Sequence, residues 1–160
     1  MAFEVIGVDP SYTSTGVATA SGVSSFELKG DGRERLEHAY RWAKLFKGKP
    51  VVVFIEGYAP GRNNRAHQMG ELGGVLRLGF THAGIEYRDV SPPTVKKYAT
   101  GKGNAGKDQV LAEAIRRLGY EGHSTDEADA LWLRQIGLAL TGGDAVDVPQ
   151  AHRAALDVLR

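Results

Sequence analysis

The sequence predicts an α/β fold built on a mixed β-sheet, and three observations support that prediction. Short strand-like segments come first, strand-like and helix-like segments then alternate, and residues 51–56 form an almost continuous apolar run. Such a run is typical of a strand that is covered on both faces. At 160 residues the chain suits a single domain, which we expect to span residues 1–160.

The strands are predicted where β-branched and apolar residues are bounded by turn residues. These segments are residues 3–9, 15–21, 24–30, 51–56 and 85–90. The first three follow one another closely, with a tight turn near Gly22, which indicates an antiparallel meander. The later strands alternate with helices, so we expect them to pair in parallel.

The helices are predicted from apolar residues at helical spacing together with end signals. These segments are residues 32–48, 67–84, 106–119, 124–140 and 147–160, with a further helix starting after Ser91. Asn104 is the expected N-cap of the helix at 106–119. Ser124 and Glu127 have the spacing of a capping box.

Composition excludes several classes of function. The chain has no Cys, which rules out disulfides, thiolate zinc sites and thiol nucleophiles and suits a reducing cytoplasm. Neither a signal peptide nor an apolar run long enough to span a membrane is expected. The formal net charge of +1 says little about partners, because opposite charges can be segregated in space.

Four acidic residues lie where a site is expected. Asp9 and Glu56 each end an apolar strand, and Asp126 and Asp129 lie three apart on one face of a helix that must pack on the sheet. Taken singly, Asp9 suits a turn and Asp126 suits a first helical turn. As a set, two like charges about 4 Å apart repel by about 4 kcal/mol at an effective dielectric near 20. Oxygen ligands without Cys favour Mg²⁺ or Mn²⁺, and two ions would suit phosphodiester chemistry.

Basic residues fall in two groups beside these acids. The segment 95–110 carries Lys96, Lys97, Lys102 and Lys107, with glycines that allow the backbone to approach a ligand. Tyr58, Arg62 and Arg65 follow Glu56. With four acids neutralised by metal, the net charge of +1 would become +5, which suits a nucleic-acid partner. A solvated loop and a surface tyrosine are the structural alternatives.

Two other signals are weighed and set aside. Residues 101–107 match the G-x-x-x-x-G-K part of a P-loop, but Asp108 stands where Ser or Thr should hold Mg²⁺, and the preceding segment is a poor buried strand. The histidines show no compact ligand spacing. Only His123, three residues before Asp126, is a candidate proton carrier or outer partner of the site.

Four motifs follow one another along the chain: "IGVDPSYTSTGVA" from residue 6, "FIEGY" from residue 54, "VKKYATGKGNAGKDQV" from residue 95 and "DEADAL" from residue 126. In this order they resemble the RuvC-type Holliday junction resolvases of the RNase H-like superfamily. The resemblance spans residues 3 to 140. It implies an RNase H-like fold, with a five-stranded mixed sheet of three antiparallel strands followed by parallel strands, and helices on both faces.

The resemblance also implies a function. A homodimer would nick four-way DNA junctions symmetrically by two-metal hydrolysis, with two Mg²⁺ per site (Mn²⁺ as a substitute). The acids Asp9, Glu56, Asp126 and Asp129 would hold the metal, with Lys107 as a fifth catalytic residue, and Lys96 and Lys107 would contact DNA. The helix after Glu56 looks like the family's dimerisation helix, and its small residues Gly70, Gly73 and Gly74 would permit close approach.

One position departs from the family pattern. Typical members carry an aromatic residue three positions after the second acid, where this chain has Ala59, with Tyr58 one residue earlier. Strict choice of cleavage sequence is therefore not expected, and a broader branched-DNA nuclease, as in phage-borne relatives, is an alternative. Further alternatives are an RNA–DNA hybrid nuclease on the same fold and a junction-binding module without catalysis. A bacterial or phage-infected cytoplasm is the expected location.

Overall fold

The structure, a computed structural model, describes residues 3–58 and 65–160. The strands are β1 (Glu4–Asp9), β2 (Ser14–Thr19), β3 (Gly22–Glu27), β4 (Val51–Glu56) and β5 (Glu86–Val90). The helices are α1 (Gly32–Lys44), α2 (Ala66–Ala83), α3 (Pro92–Thr100), α4 (Lys107–Leu118), α5 (Thr125–Thr141) and α6 (Gln150–Arg153), followed by a 3₁₀ helix at Ala154–Leu159.

The five strands form one mixed sheet in the order β3-β2-β1-β4-β5. The pairs β1–β2 and β2–β3 are antiparallel, and β1–β4 and β4–β5 are parallel. The predicted sheet of three antiparallel strands followed by parallel strands is confirmed. The carboxyl ends of β1 and β4 therefore lie side by side at one edge of the sheet.

Each face of the sheet carries its own apolar core, because side chains alternate between faces along a strand. Val5, Val52 and Phe54 point toward α3, α4, α5 and the C-terminal segment. Ile6 and Val53 point to the opposite face, which α1 and α2 cover. The predicted placement of helices on both faces is confirmed.

Glycines allow α5 to lie unusually close to the sheet. A Cβ on Gly7 would lie 2.0 Å from the carbonyl oxygen of Ala130, and one on Gly16 would lie 2.2 Å from that of Asp126. A side chain at either position would force the helix outward. The first turn of α5 is thus held against the ends of β1 and β2.

Several predicted boundaries were wrong by a few residues. The third strand starts at Gly22, the first helix ends at Lys44, and the predicted terminal helix at 147–160 begins only at Gln150 and continues as a 3₁₀ helix. Gly106, and not Asn104, is the N-cap of α4. The glycine has no side chain to accept a hydrogen bond, but its N–H donates to the Gln109 side chain at 3.0 Å.

The capping box of α5 is present only in part. Ser124 Oγ accepts a hydrogen bond from the Glu127 N–H at 3.2 Å. The Ser124 N–H, however, donates to the Tyr120 hydroxyl and not to the Glu127 carboxylate. Glu127 is thereby free to bond elsewhere. Among the described helices, none combines the length and the hydropathy needed to cross a membrane.

Candidate functional site

Three carboxylates meet at the edge of the sheet where β1 and β4 end. Asp9, Glu56 and Asp129 each contribute an oxygen, and these oxygens lie within 4.8 Å of one another. Asp9 and Asp129 are buried, and Glu56 is partly buried. The convergence of these three acids that the sequence predicted is observed.

Strand register explains how the two strand acids come together. Val8 of β1 is paired with Ile55 of β4, so the next residues, Asp9 and Glu56, are neighbours. Asp9 falls on the same face as Val5 because side chains alternate, and Glu56 falls on the face of Phe54. Since α5 covers this face, Asp129 reaches the two strand acids from above the sheet.

Asp126 lies at the rim of this group. Its side chain is 28% exposed, and its Oδ1 lies 3.8 Å from Lys107 Nζ. Its negative charge nevertheless helps to raise the pKa values of Asp9, Glu56 and Asp129. The structure thus brings all four predicted acids to one region, with three in close contact and the fourth toward solvent.

The inner carboxylates resist ionisation. Burial raises the pKa of Asp9 well above its usual range, and the charges of Glu56, Asp129 and Asp126 raise it further. Burial, with the charge of Asp129, raises the pKa of Glu56 to about 7. Burial likewise raises the pKa of Asp129 to about 6. The site is therefore deficient in positive charge, which a divalent cation would supply.

Two of the predicted lysines face these acids. Lys107 is the first residue of α4, and although burial lowers its pKa, the four surrounding carboxylates produce a net rise. Lys96, on α3, lowers the pKa of Glu56 and Asp129 through its charge. These two cations offset only part of the negative charge at the site.

The other predicted DNA contacts are spread more widely. Lys102 is exposed beside a shallow groove lined by Gln109 and Glu113, and Lys97 is partly exposed on α3. Arg65 is the N-cap residue of α2. Arg62 and Ala59 lie outside the described residues. His123 is exposed, and none of the described hydrogen bonds or ion pairs joins it to the acids.

A cleft of about 190 Å³ opens from the acids between the end of β4 and α2. Its walls include Asp9, Glu56, Tyr58, Met69 and Arg77. Tyr58, which is 54% exposed, stands at this cleft and remains a candidate to stack on a base.

Arg77 is a residue of this site that the sequence prediction missed. Its guanidinium donates to the Glu56 carbonyl oxygen at 3.2 Å and to Asp89 Oδ1 at 2.9 and 2.5 Å. A Cβ on Gly73 would lie 2.7 Å from Arg77 Nη1, so Gly73 leaves the space that the guanidinium occupies. Arg77 is the one basic residue within 72–80, an apolar and small-residue stretch. A single basic residue in such a stretch was the sequence signal that could have indicated a bonded, partly buried arginine.

The P-loop-like segment does not have the context that a phosphate-binding loop requires. Residues 101–106 connect α3 to α4, so a helix and not a buried strand precedes the motif. This placement agrees with the sequence argument against a nucleotide-binding P-loop.

Comparison with known sequences identifies the family. The sequence model of the family described as "Crossover junction endodeoxyribonuclease RuvC" matches residues 5–137, which is most of the chain. The chain belongs to the RuvC family.

Curated RuvC proteins are similar over different shares of the chain. The RuvC of Anaeromyxobacter sp. (strain K) is 36% identical over 114 residues, and that of Chlorobium phaeobacteroides is 30% identical over 161. These matches cover 71% and 91% of this chain. The chain spans 61% of the length of the Anaeromyxobacter protein and 86% of the Chlorobium protein.

Solved RuvC structures share the fold. The Thermus thermophilus RuvC structure matches with a TM-score of 0.66 at 22% identity, covering 91% of this chain and all of that one. A structure described as T. thermophilus RuvC in complex with Holliday junction substrate matches with a TM-score of 0.68 at 23% identity. The RNase H-like fold expected from the motifs is confirmed.

Proposed function

We propose that this RuvC-family chain is a metal-dependent endonuclease that resolves four-way DNA junctions by paired symmetrical nicks. The observation that carries the proposal is the buried group of Asp9, Glu56 and Asp129. Three acids within 4.8 Å, with raised pKa values, fit a site for a hard cation better than a structural role. The family membership supplies the reaction class.

Mg²⁺ is the proposed ion, with Mn²⁺ as a substitute, and two ions per site. Asp9, Glu56, Asp129 and Asp126 would hold them, because carboxylate oxygens are the ligands that these ions prefer. The bound ions would supply charge stabilisation and an activated water for phosphodiester hydrolysis. Asp126, whose side chain is 28% exposed, would close the site from the solvent side.

The chain's own cations would bind and orient the DNA. Lys107 lies 3.8 Å from Asp126 and so would stand beside a phosphate held at the acids. Lys96 would bind the neighbouring backbone, with Lys97, Lys102 and Arg65 as more distant contacts. Tyr58 would stack on an unpaired base at the mouth of the cleft.

Symmetrical nicking calls for two copies of the chain. We infer a homodimer formed through α2, whose exposed face carries Gly70 and Gly74. A Cβ on Gly74 would have nothing within 4 Å, so the fold itself does not require glycine there. Gly73, by contrast, is buried against Arg77, so the expectation that it serves helix approach is replaced by this role. The DNA substrate implies a cytoplasmic location.

The test is cleavage of an end-labelled immobile four-way junction with Mg²⁺, beside a linear duplex, a three-way branch and an RNA–DNA hybrid of the same arms. We expect paired nicks in the four-way junction. Equal cutting of the three-way branch would indicate a broader debranching nuclease. Cutting of the hybrid alone would contradict the proposal.

The substitution that tests the metal role of Asp9 in the same assay is Asp9→Asn, which removes one carboxylate charge from the group of acids. Nicking should fall below detection, while junction binding in a mobility assay should persist, because binding depends chiefly on the cations. Asp144→Asn is the control, since Asp144 is exposed beside Thr19 and Gly22 at the opposite end of the sheet. Nicking by Asp9→Asn at the rate of the control would disprove the metal role of Asp9.

A further inference from the structure

The first turn of α5 is tied to two other parts of the chain through Glu127. Glu127 lies between Asp126 and Asp129 in sequence. Its Oε1 accepts a hydrogen bond from Ser25 Oγ of β3 at 2.6 Å, and its Oε2 accepts one from the Tyr120 hydroxyl at 2.5 Å. Hydrogen bonds of this length to a carboxylate are among the stronger ones in proteins.

Tyr120 completes a closed set of contacts around this turn. Its hydroxyl accepts a hydrogen bond from the Ser124 N–H at 3.1 Å, and Ser124 Oγ accepts one from the Glu127 N–H at 3.2 Å. The Tyr120 residue is buried and belongs to the core beneath α5. The turn is therefore fastened to a fixed part of the molecule and not only to solvent-exposed side chains.

The backbone packing of α5 fixes its distance from the sheet, whereas side-chain contacts restrict rotation of the first turn about the helix axis. The glycines at 7 and 16 set how closely the helix backbone approaches β1 and β2. Further along α5, Trp132 and Leu133 are fully buried and prevent rotation there. In the first turn the buried apolar side chain is Ala128, whose single methyl group offers a smaller packing surface than Trp132 or Leu133.

Glu127 is well placed to resist that rotation. At about 100° per residue, its side chain leaves the helix about 100° from Asp126 and about 160° from Asp129. It therefore holds the side of the helix that is turned away from the acids. A rotation that moved Asp129 out of the site would have to break the bonds of Glu127 to Ser25 and Tyr120.

We propose that Glu127, acting with Tyr120 and Ser25, is a positioning residue that holds Asp126 and Asp129 in the geometry that binds metal. The proposal rests on the proposed function, because it assigns metal to those acids. Asp126 gains most from this positioning, since its side chain is 28% exposed and its Oδ1 lies as far as 3.8 Å from Lys107 Nζ. Groups that hydrogen-bond a metal ligand directly typically change metal affinity by about 10- to 100-fold when they are removed, and Glu127, which acts through the helix backbone, is expected at the low end of that range.

The decisive variant is Tyr120→Phe, which deletes the hydroxyl and leaves the charge of Glu127 in place. We expect its Mn²⁺ affinity, measured by calorimetry on the intact chain, to fall by roughly tenfold. In nicking assays the Mn²⁺ concentration for half-maximal rate should rise by a similar factor, with kcat at saturating Mn²⁺ nearly unchanged. Ser25→Ala, at an exposed position, should weaken Mn²⁺ binding in the same direction.

Two controls separate positioning from other effects. Tyr40→Phe deletes a hydroxyl that bonds His82 Nδ1 at 2.8 Å on the opposite face, and it should leave Mn²⁺ affinity unchanged. Glu127→Ala combined with Tyr120→Phe should cost little more affinity than Glu127→Ala alone, because the bond between Tyr120 and Glu127 is already lost and only the acceptor of the Ser124 N–H is removed in addition. If the losses of Mn²⁺ affinity in the two single variants add up in the double variant, Glu127 and Tyr120 do not act through a shared contact.

The outcomes also distinguish this proposal from the proposed function. If the wild-type chain binds Mn²⁺ and nicks junctions but Tyr120→Phe and Ser25→Ala bind Mn²⁺ equally well, the positioning role is wrong and the function stands. Variants that lose stability without losing Mn²⁺ affinity would contradict the positioning role in the same way. If the wild-type chain neither binds Mn²⁺ nor nicks, both proposals fail.

Discussion

At the scale of single residues, Arg77 supports the site without touching any of its carboxylates, because it bonds the backbone of Glu56 and not its side chain. Its guanidinium joins α2 to the ends of two strands, by bonds to the Glu56 carbonyl oxygen and to Asp89. The Arg77 side chain is 18% exposed and that of Asp89 56%, so the bond to the Glu56 carbonyl oxygen is better shielded from solvent than the bonds to Asp89. This contact ties the end of β4, and with it Glu56, to α2.

We therefore predict that Arg77→Met destabilises the fold by about 1–3 kcal/mol, because it leaves a partly buried carbonyl without its donor. Chemical denaturation measures this change directly. The control is Arg88→Met, on the neighbouring strand β5. Arg88 pairs with Glu86 while the two side chains are 49% and 63% exposed, and such pairs contribute at most about 1 kcal/mol. Equal losses for the two variants would contradict the role of Arg77.

Residues also mark the limit of prediction from the sequence. Asp9 and Glu56 were found because each ends an apolar strand, and alternation along those strands places both on the face that α5 covers. Arg77 was missed because its importance depends on the gap at Gly73, a relation between two helical positions and the end of a strand. The bond from Glu127 to Ser25 joins residues 102 apart in sequence, which no local pattern reveals.

At the scale of elements, the order and type of the strands and main helices could be predicted, because periodicity and end signals are local. Ser91 does begin α3, accepting from the Thr94 N–H, and α2, predicted over 67–84, ends at Ala83 with Gly84 as its left-handed C-cap. The errors fell at the ends of elements, where sequence signals locate a boundary only to within a few residues. The N-cap of α4 moved from Asn104 to Gly106, for example, where the Gln109 side chain bonds the Gly106 N–H.

For helix α2 we predict that one substitution changes the stability of the chain and its dimerisation in opposite directions. Gly74 lies on its exposed face with open space around it, so Gly74→Ala should stabilise the isolated chain by about 1 kcal/mol through helix propensity. If α2 is the dimer contact, the added methyl group should weaken dimerisation by roughly tenfold, as expected for about 1.4 kcal/mol. Sedimentation velocity over a dilution series measures the second effect, and denaturation of the dilute chain measures the first.

Gly73→Ala is the matched control for this helix. Its Cβ would meet Arg77 Nη1 at 2.7 Å, so the guanidinium must shift, which should offset the gain in helix propensity without a comparable change in dimerisation. A dimer that is insensitive to Gly74→Ala, or a chain that stays monomeric throughout, would remove α2 as the contact between copies.

At the scale of the whole molecule, the acids that are proposed to bind metal act against the stability of the free chain. Alignment of β1 with β4 and close packing of α5 concentrate negative charge at one edge of the sheet. Burial there raises the pKa of Glu56 to about 7 and that of Asp129 to about 6, from ordinary values of 4.5 and 3.8. The folded chain thus binds protons that the unfolded chain has already released.

The sign of the pH dependence follows from this difference. Stability falls with rising pH wherever the folded state binds more protons than the unfolded state. Between about pH 4.5 and 7 the metal-free chain should therefore lose stability. A loss of about 2 kcal/mol would lower Tm by roughly 4–8 °C for a chain of this size. Well above pH 7 the contribution of Glu56 and Asp129 should level off, since both carboxylates are then ionised in the folded and the unfolded chain.

Metal should reverse this loss in the same pH range. Mg²⁺ binds ionised carboxylates, so Mg²⁺ at a concentration on the order of 10 mM should raise Tm at pH 8 and change it little at pH 5. Calorimetric scans at both pH values, with and without Mg²⁺, measure the effect. Glu56→Gln removes one ionisable group, so its Tm should vary less with pH and respond less to Mg²⁺. A wild-type chain whose Tm rises from pH 5 to pH 8 without metal would show that the acids do not repel one another as the geometry requires.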